Sequence, residues 1–163
     1  MKNPVLVLSA SVVLLAASLV LAAGPRYTKT EPVAGQPVVA DNTTGLTWQG
    51  CAAGLSGAAC GTGSATTHTW QNALKYCEGL TWGNQSDWRL PSVGELFSLV
   101  DARRSIPAID TTAFPTTPSS YFWSSTSYAA NTSIAWYVHF GAGGVSGYDR
   151  PSNSNVRCVR GGP

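Results

Sequence analysis

Hydrophobic positions along the chain follow two rhythms. Trp70, Ala73, Leu74 and Cys77 fall on one helical face. Thr69 stands where an N-cap is expected and Gly79 where a helix stops, so a helix is predicted over 69–78. Val93, Leu96, Phe97 and Val100 repeat that spacing and predict a second helix ending near Asp101, before Arg103 and Arg104. Its start is marked by Trp88-Arg89-Leu90-Pro91-Ser92. Pro91 holds Leu90 extended, and Ser92 with Glu95 forms a capping box. Arg89 lies between two apolar residues, where a guanidinium needs a carboxylate or carbonyl partner.

Beyond Ile106-Pro107 the period changes to two. Ile134, Trp136, Val138 and Phe140 alternate with Ala135, Tyr137 and His139, as in a strand. Gly141, Gly143 and Gly144 supply a turn, and 145–150 reads as the returning strand of a hairpin. The aromatic, hydroxyl-rich run 121–128 and the segment 156–160 are two more strands. A short strand at 46–49 follows the Asx-and-Gly turn 41–45. Helices first and strands after predict an α+β fold: two helices packed on one twisted antiparallel sheet.

The first 23 residues stand apart. Lys2 precedes an apolar run from Val5 to Leu21, then Ala22, Ala23 and Gly24. That order is expected of a signal peptide, with a retained membrane anchor as the alternative. Residues 24–40, rich in Pro, Gly and Thr, are expected to be an extended lead-in, and 41–163 the domain. Without Lys2 the chain has nine basic residues against eight acidic ones. That balance argues against a nucleic-acid partner. Membrane contact is expected through the signal segment alone, before its cleavage. The expected location is periplasmic, secreted or cell-surface.

In an exported chain the four cysteines suggest disulfides. Cys51 and Cys60 flank a small-residue loop and can close it, leaving Cys77 with Cys158. A zinc site is the weaker alternative, because no Cys-x-x-Cys pair is present.

Five motifs occur in order: Asp41-x-x-Thr44-Gly45-Leu46-x-Trp48, Trp70-x-x-Ala73-Leu74-x-Tyr76-Cys77, Asp87-Trp88-Arg89-Leu90-Pro91, Trp123-Ser124-Ser125-Thr126 and Val156-Arg157-Cys158-Val159-Arg160. Together they resemble the Lcl C-terminal domain family, named for the tail of a bacterial collagen-like adhesin. Arg89-Leu90-Pro91 with Glu95, and the Arg157-Cys158 ending, are more distantly similar to the formylglycine-generating-enzyme domain. The resemblance implies a C-type-lectin-like fold in which the last strand returns beside the first, and it supports Cys77 pairing with Cys158. It also implies an adhesin-like module for a carbohydrate, glycosaminoglycan or other cell-surface ligand. The chain departs from the adhesin in lacking collagen-like repeats and in its near-neutral charge. The calcium-dependent sugar motifs of true C-type lectins are absent, and no metal or cofactor is expected.

No catalytic set is evident. His68 and His139 have no nucleophile assigned to them, and Ser124 and Ser125 lack the setting of a nucleophile elbow. The expectation is therefore a binding domain and not an enzyme. The alternatives are a structural subunit of a secreted assembly, with a second copy of the chain as one candidate partner, and a copper-dependent oxidase of the formylglycine type. Binding residues concentrate on loops held by a rigid scaffold, and Tyr with Ser, Gly and Asn is a recognition palette. Tyr128, Tyr137, His139, Tyr148, Arg150, Asn153 and Asn155 are accordingly expected to border one ligand surface.

Overall fold

The structure, a computed structural model, describes residues 24–161. The expected signal peptide at 1–23 lies outside the described residues. The chain opens with a hairpin of β1 (Tyr27–Val33) and β2 (Gln36–Asp41). Its turn uses Gly35 at φ +79°, a conformation open to glycine. β3 (Thr47–Gln49) pairs with β2. The lead-in segment is thus extended, and most of it is paired within a sheet. Three two-residue strands follow: β4 (Leu55–Ser56), β5 (Thr62–Gly63) and β6 (Thr67–His68).

Helix α1 (Trp70–Glu78) buries Ala73 and Cys77 as the spacing predicts. Thr69 holds the N-cap position, but its hydroxyl makes no capping bond. Helix α2 (Val93–Phe97) carries the full capping box: Ser92 Oγ accepts from the Glu95 amide, and Glu95 accepts from the Ser92 amide. It is shorter than predicted. Ser98 and Leu99 turn the chain out of the helix so that Val100 can bridge to Ile109. Phe97, expected on the buried face, is consequently 46% exposed.

The second half supplies β7 (Tyr121–Ser127), β8 (Ile134–His139), β9 (Gly144–Asp149), β10 (Ser154–Asn155) and β11 (Val159–Arg160). The expected single antiparallel sheet is corrected to three. Their orders are β1-β2-β3-β11, β6-β10-β7-β8-β9 and β4-β5. The pairings are antiparallel except β10 with β7, which run parallel. The last strand lies beside β3, the strand predicted at 46–49. The two larger sheets are joined by packing: Trp48, Val39 and Val159 from the first share one core with Phe122, Trp123 and Val138 from the second and with Phe140 just beyond β8.

Two disulfides staple this core. Cys51–Cys60 closes the small-residue loop, and Cys77–Cys158 ties α1 to the chain end over a separation of 81 residues. The domain is α+β and disulfide-stabilised. No described helix is long and apolar enough to cross a membrane.

Candidate functional site

The three strands β7, β8 and β9 decide which side chains meet. In antiparallel pairing, residues directly opposite share a face. Tyr121 lies opposite His139, Trp123 opposite Tyr137, and Ala135 opposite Tyr148. One face of the hairpin therefore gathers rings. Tyr121 stands 4.6 Å from His139 and 4.7 Å from Tyr137, centroid to centroid. Tyr148 lies 6.0 Å from Tyr121, Tyr137 and Trp123. Tyr121 and Tyr148 are each 41% exposed, while Tyr137 and His139 are half-buried. Trp123 is buried beside them, its indole N–H donating to the His68 carbonyl at 2.9 Å. The cluster is thus an open aromatic platform on a fixed base.

His68 belongs to that base. Its ring stacks on Tyr76 at 5.2 Å, and burial pushes its pKa below the usual histidine value. At neutral pH it is uncharged and serves the frame.

Arg150 lies beyond Tyr148. Its guanidinium sits 4.0 Å over the Trp70 ring and donates from Nη2 to Ser127 Oγ at 2.7 Å. Trp70 is itself fixed, with its indole N–H on the Ser124 carbonyl at 2.8 Å and its amide on the Arg150 carbonyl at 3.0 Å. Arg26, Arg89, Arg103, Arg104 and Arg160 each pair with an Asp or Glu. Arg157 is completely buried. Arg150 alone combines partial exposure with no carboxylate partner among the described residues. Its Nε is enclosed and unbonded. A hollow of about 320 Å³, bounded by Thr69, Gln71, Arg150 and Pro151, opens beside it.

Four of the seven expected residues, Tyr137, His139, Tyr148 and Arg150, lie along this face. The other three do not join it. Tyr128 packs on Trp136 at 5.1 Å, on the opposite face of the hairpin. Asn155 is buried, and its amide donates to the Tyr121 carbonyl at 3.0 Å, so it holds the platform from behind. Asn153 is exposed in the turn before β10. Tyr121 and Trp70 join the face without being among the seven. Tyr121 alternates with Trp123, which marks a shared face, but only the β7–β8 register shows that the face is open.

A larger cavity, about 560 Å³, lies elsewhere, between β1 and the segments 99–103 and 110–113. It contains none of the seven residues and has no exposed ring cluster. The aromatic face is therefore the better candidate for the expected ligand, although it is flatter.

These features define a class: a disulfide-stapled α+β domain that displays aromatic side chains on a β-hairpin. Residues 37–160 match the Lcl C-terminal domain, and the chain belongs to that family. The match runs from β2 to the end of β11 and leaves β1 outside. No curated protein matches the chain.

Proposed function

We propose that this chain is an exported, adhesin-like binding module of C-type-lectin-like fold, without catalysis, which takes a carbohydrate ligand on the Tyr121–Tyr137–His139–Tyr148 face. The observation that carries the reading is the exposed ring cluster. Aromatic faces offer apolar area with polar tips, which suits the C–H faces and hydroxyls of a sugar ring. Arg150, free of any carboxylate, adds a site for an acidic substituent. The near-neutral surface favours a saccharide bearing few charges over a long polyanion.

Export is supported by the two disulfides, which persist in oxidising compartments. The C-type-lectin-like reading is supported by β11 lying beside β3 and by the Cys77–Cys158 staple. The non-catalytic reading is supported by the state of Cys158, which a formylglycine-type oxidase would need as a thiolate and which is joined to Cys77. A second reading, a structural subunit of a surface assembly, is favoured by β9. It is an edge strand, exposed along most of its length and without a bulge.

The test is a glycan array probed with the exported protein and with the variant Tyr121→Ala/Tyr148→Ala. The variant is expected to keep the wild-type melting temperature within a few degrees and to lose about tenfold or more in binding, because the removed rings are part-exposed. Undiminished glycan binding by the folded variant refutes the assigned face. A wild type that binds no glycan but forms oligomers through β9 favours the structural reading.

A further inference from the structure

The segment between α2 and β7 carries chemistry that neither the aromatic face nor the core uses. Val100 bridges to Ile109, and the Asp101 amide donates to the Ala108 carbonyl at 3.1 Å. Residues 102–106 form the tip beyond that closure, and all five are exposed. Two arginines stand there in succession. The Arg103 side chain is 89% exposed and that of Arg104 43%. Both pair with the Asp101 carboxylate, at 2.9 and 3.1 Å. Exposed pairs of this kind hold a side chain weakly and release it readily.

The peptide group after Arg104 is the freest part of the tip. The Arg104 amide donates to the Asp101 carbonyl and the Ile106 amide to the Gly141 carbonyl, each at 3.0 Å. Between them, the Arg104 carbonyl and the Ser105 amide make no backbone hydrogen bond among the described residues. Ile106 adds strain. It is β-branched and stands at φ +50°, where its side chain is crowded, so opening the tip relieves it.

No other basic residue among those described offers this combination. The Arg26 carbonyl accepts from the Asn42 amide, Lys29 lies in β1, Lys75 in α1 and Arg160 in β11. Arg89 exchanges both backbone bonds with Val159, and Arg157 is completely buried. Arg150 precedes Pro151, whose ring lacks the N–H and the room that cleavage needs. A break after Arg104 also leaves the domain whole. Cys77 and Cys158 lie on either side of it and are joined. β3 with β11, and β6 with β10, pair across it.

We propose that the Arg104–Ser105 bond is a processing site for a trypsin-like protease, which converts the domain into two chains joined by Cys77–Cys158. Such a protease holds a carboxylate at the base of its S1 pocket, and this takes the Arg104 guanidinium in place of Asp101. Water adds across the C–N bond: Arg104 ends as a carboxylate and Ser105 as a free amine. Ala102 and Arg103 line the larger cavity, so the new chain end lies on its rim.

The test treats the folded protein with a small amount of trypsin. A non-reducing denaturing gel is expected to show one band, with a mass greater by one water. A reducing gel is expected to show two fragments, the second beginning Ser105-Ile106-Pro107. Arg104→Gln is expected to fold and to slow the cut after position 104 by about tenfold or more. Arg103→Gln is expected to leave the position of the cut unchanged. The same Ser105 terminus is expected in protein recovered from the organism that makes it. A first cut at any other basic residue, a wild-type rate in folded Arg104→Gln, or fragments that part without reductant overturns the proposal. Recovery from the organism of uncut chain alone overturns it as well.

Discussion

Arg157 is the largest charged side chain that the fold encloses completely. Its guanidinium donates to the carbonyls of Gln49 and Gly50 at 3.0 and 2.7 Å and to Thr117 Oγ1 at 2.8 Å, and it lies 4.7 Å from the Phe114 ring centre. Burial pushes its pKa down to about 9, which leaves it protonated at neutral pH. No carboxylate among the described residues meets it, and the carbonyl dipoles where β3 ends solvate its charge. Arg157→Ala strands two buried carbonyls and opens a void. We expect a loss on the order of 3 kcal/mol, read as a lowered urea midpoint at unchanged slope. In the sequence Arg157 reads only as part of a closing motif, because arginine is rarely buried and nothing local marks this one. Arg89 is the opposite case. Its flanking apolar residues demand a partner, and Glu95 meets it at 2.8 and 2.6 Å. The need for a partner is legible in the sequence, and the structure supplies it from the same strand-to-helix joint. Ser92→Ala removes the cap of that joint and should cost about 1 kcal/mol by the same measurement.

At the scale of elements, legibility tracks apolar periodicity. The β8–β9 hairpin carries a clear period of two and forms where expected. The β1–β2 hairpin reads in the sequence as a lead-in because Thr28, Lys29, Thr30 and Glu31 form a polar edge strand with no apolar rhythm. The overlong prediction for α2 has a different origin. Val100 keeps the helical spacing but is recruited to a bridge with Ile109, a long-range pairing that overrides local pattern. The disulfides constrain these elements unequally. In the chain-entropy account a loop spanning 81 residues contributes about 4.5 kcal/mol, and one spanning nine contributes about 2.6 kcal/mol. Replacing Cys77 and Cys158 by Ala is therefore expected to cost more than replacing Cys51 and Cys60. Urea unfolding of the two double variants checks the order, and equal losses would mean that native-state packing, not loop closure, sets the effect.

For the molecule as a whole, ion pairs bind segments that packing alone leaves apart. Arg26 pairs with the buried Asp41 within the first hairpin and joins that hairpin to the rest by donating to the Ser98 carbonyl at 2.8 Å. Arg89 donates to Glu95 and also to the Gly161 carbonyl at 3.1 Å, so the central joint and the end of the domain close together. Arg160 reaches back to Asp87 at 2.6 Å. Links of this kind between distant segments leave no local mark in the sequence, since they depend on which strands become neighbours. They make stability depend on acid in a defined direction. The Arg89 guanidinium, against the opposing effect of burial, holds the Glu95 carboxyl below its ordinary range. At Asp41 burial works upward, but the Arg26 guanidinium and the Thr43 amide outweigh it, and the net shift is again down. A carboxylate with a depressed folded pKa binds its proton less readily in the folded chain. Its contribution is complete above the ordinary carboxylate range, near pH 4, and is lost as pH falls toward the folded value. The carboxylate contribution to the melting temperature is thus expected to hold steady from about pH 8 to about pH 5 and to fall at lower pH. The lowered pKa of His68 adds a loss that begins as pH drops through about 6.5. Glu95→Gln isolates one group. At neutral pH the variant should melt lower, because Arg89 loses its counter-charge. In acid a protonated Glu95 resembles the amide, so the gap between the two proteins should narrow as pH drops below about 4. Melting curves that remain parallel across that range would show that Glu95 contributes through its capping bonds alone, not through its charge.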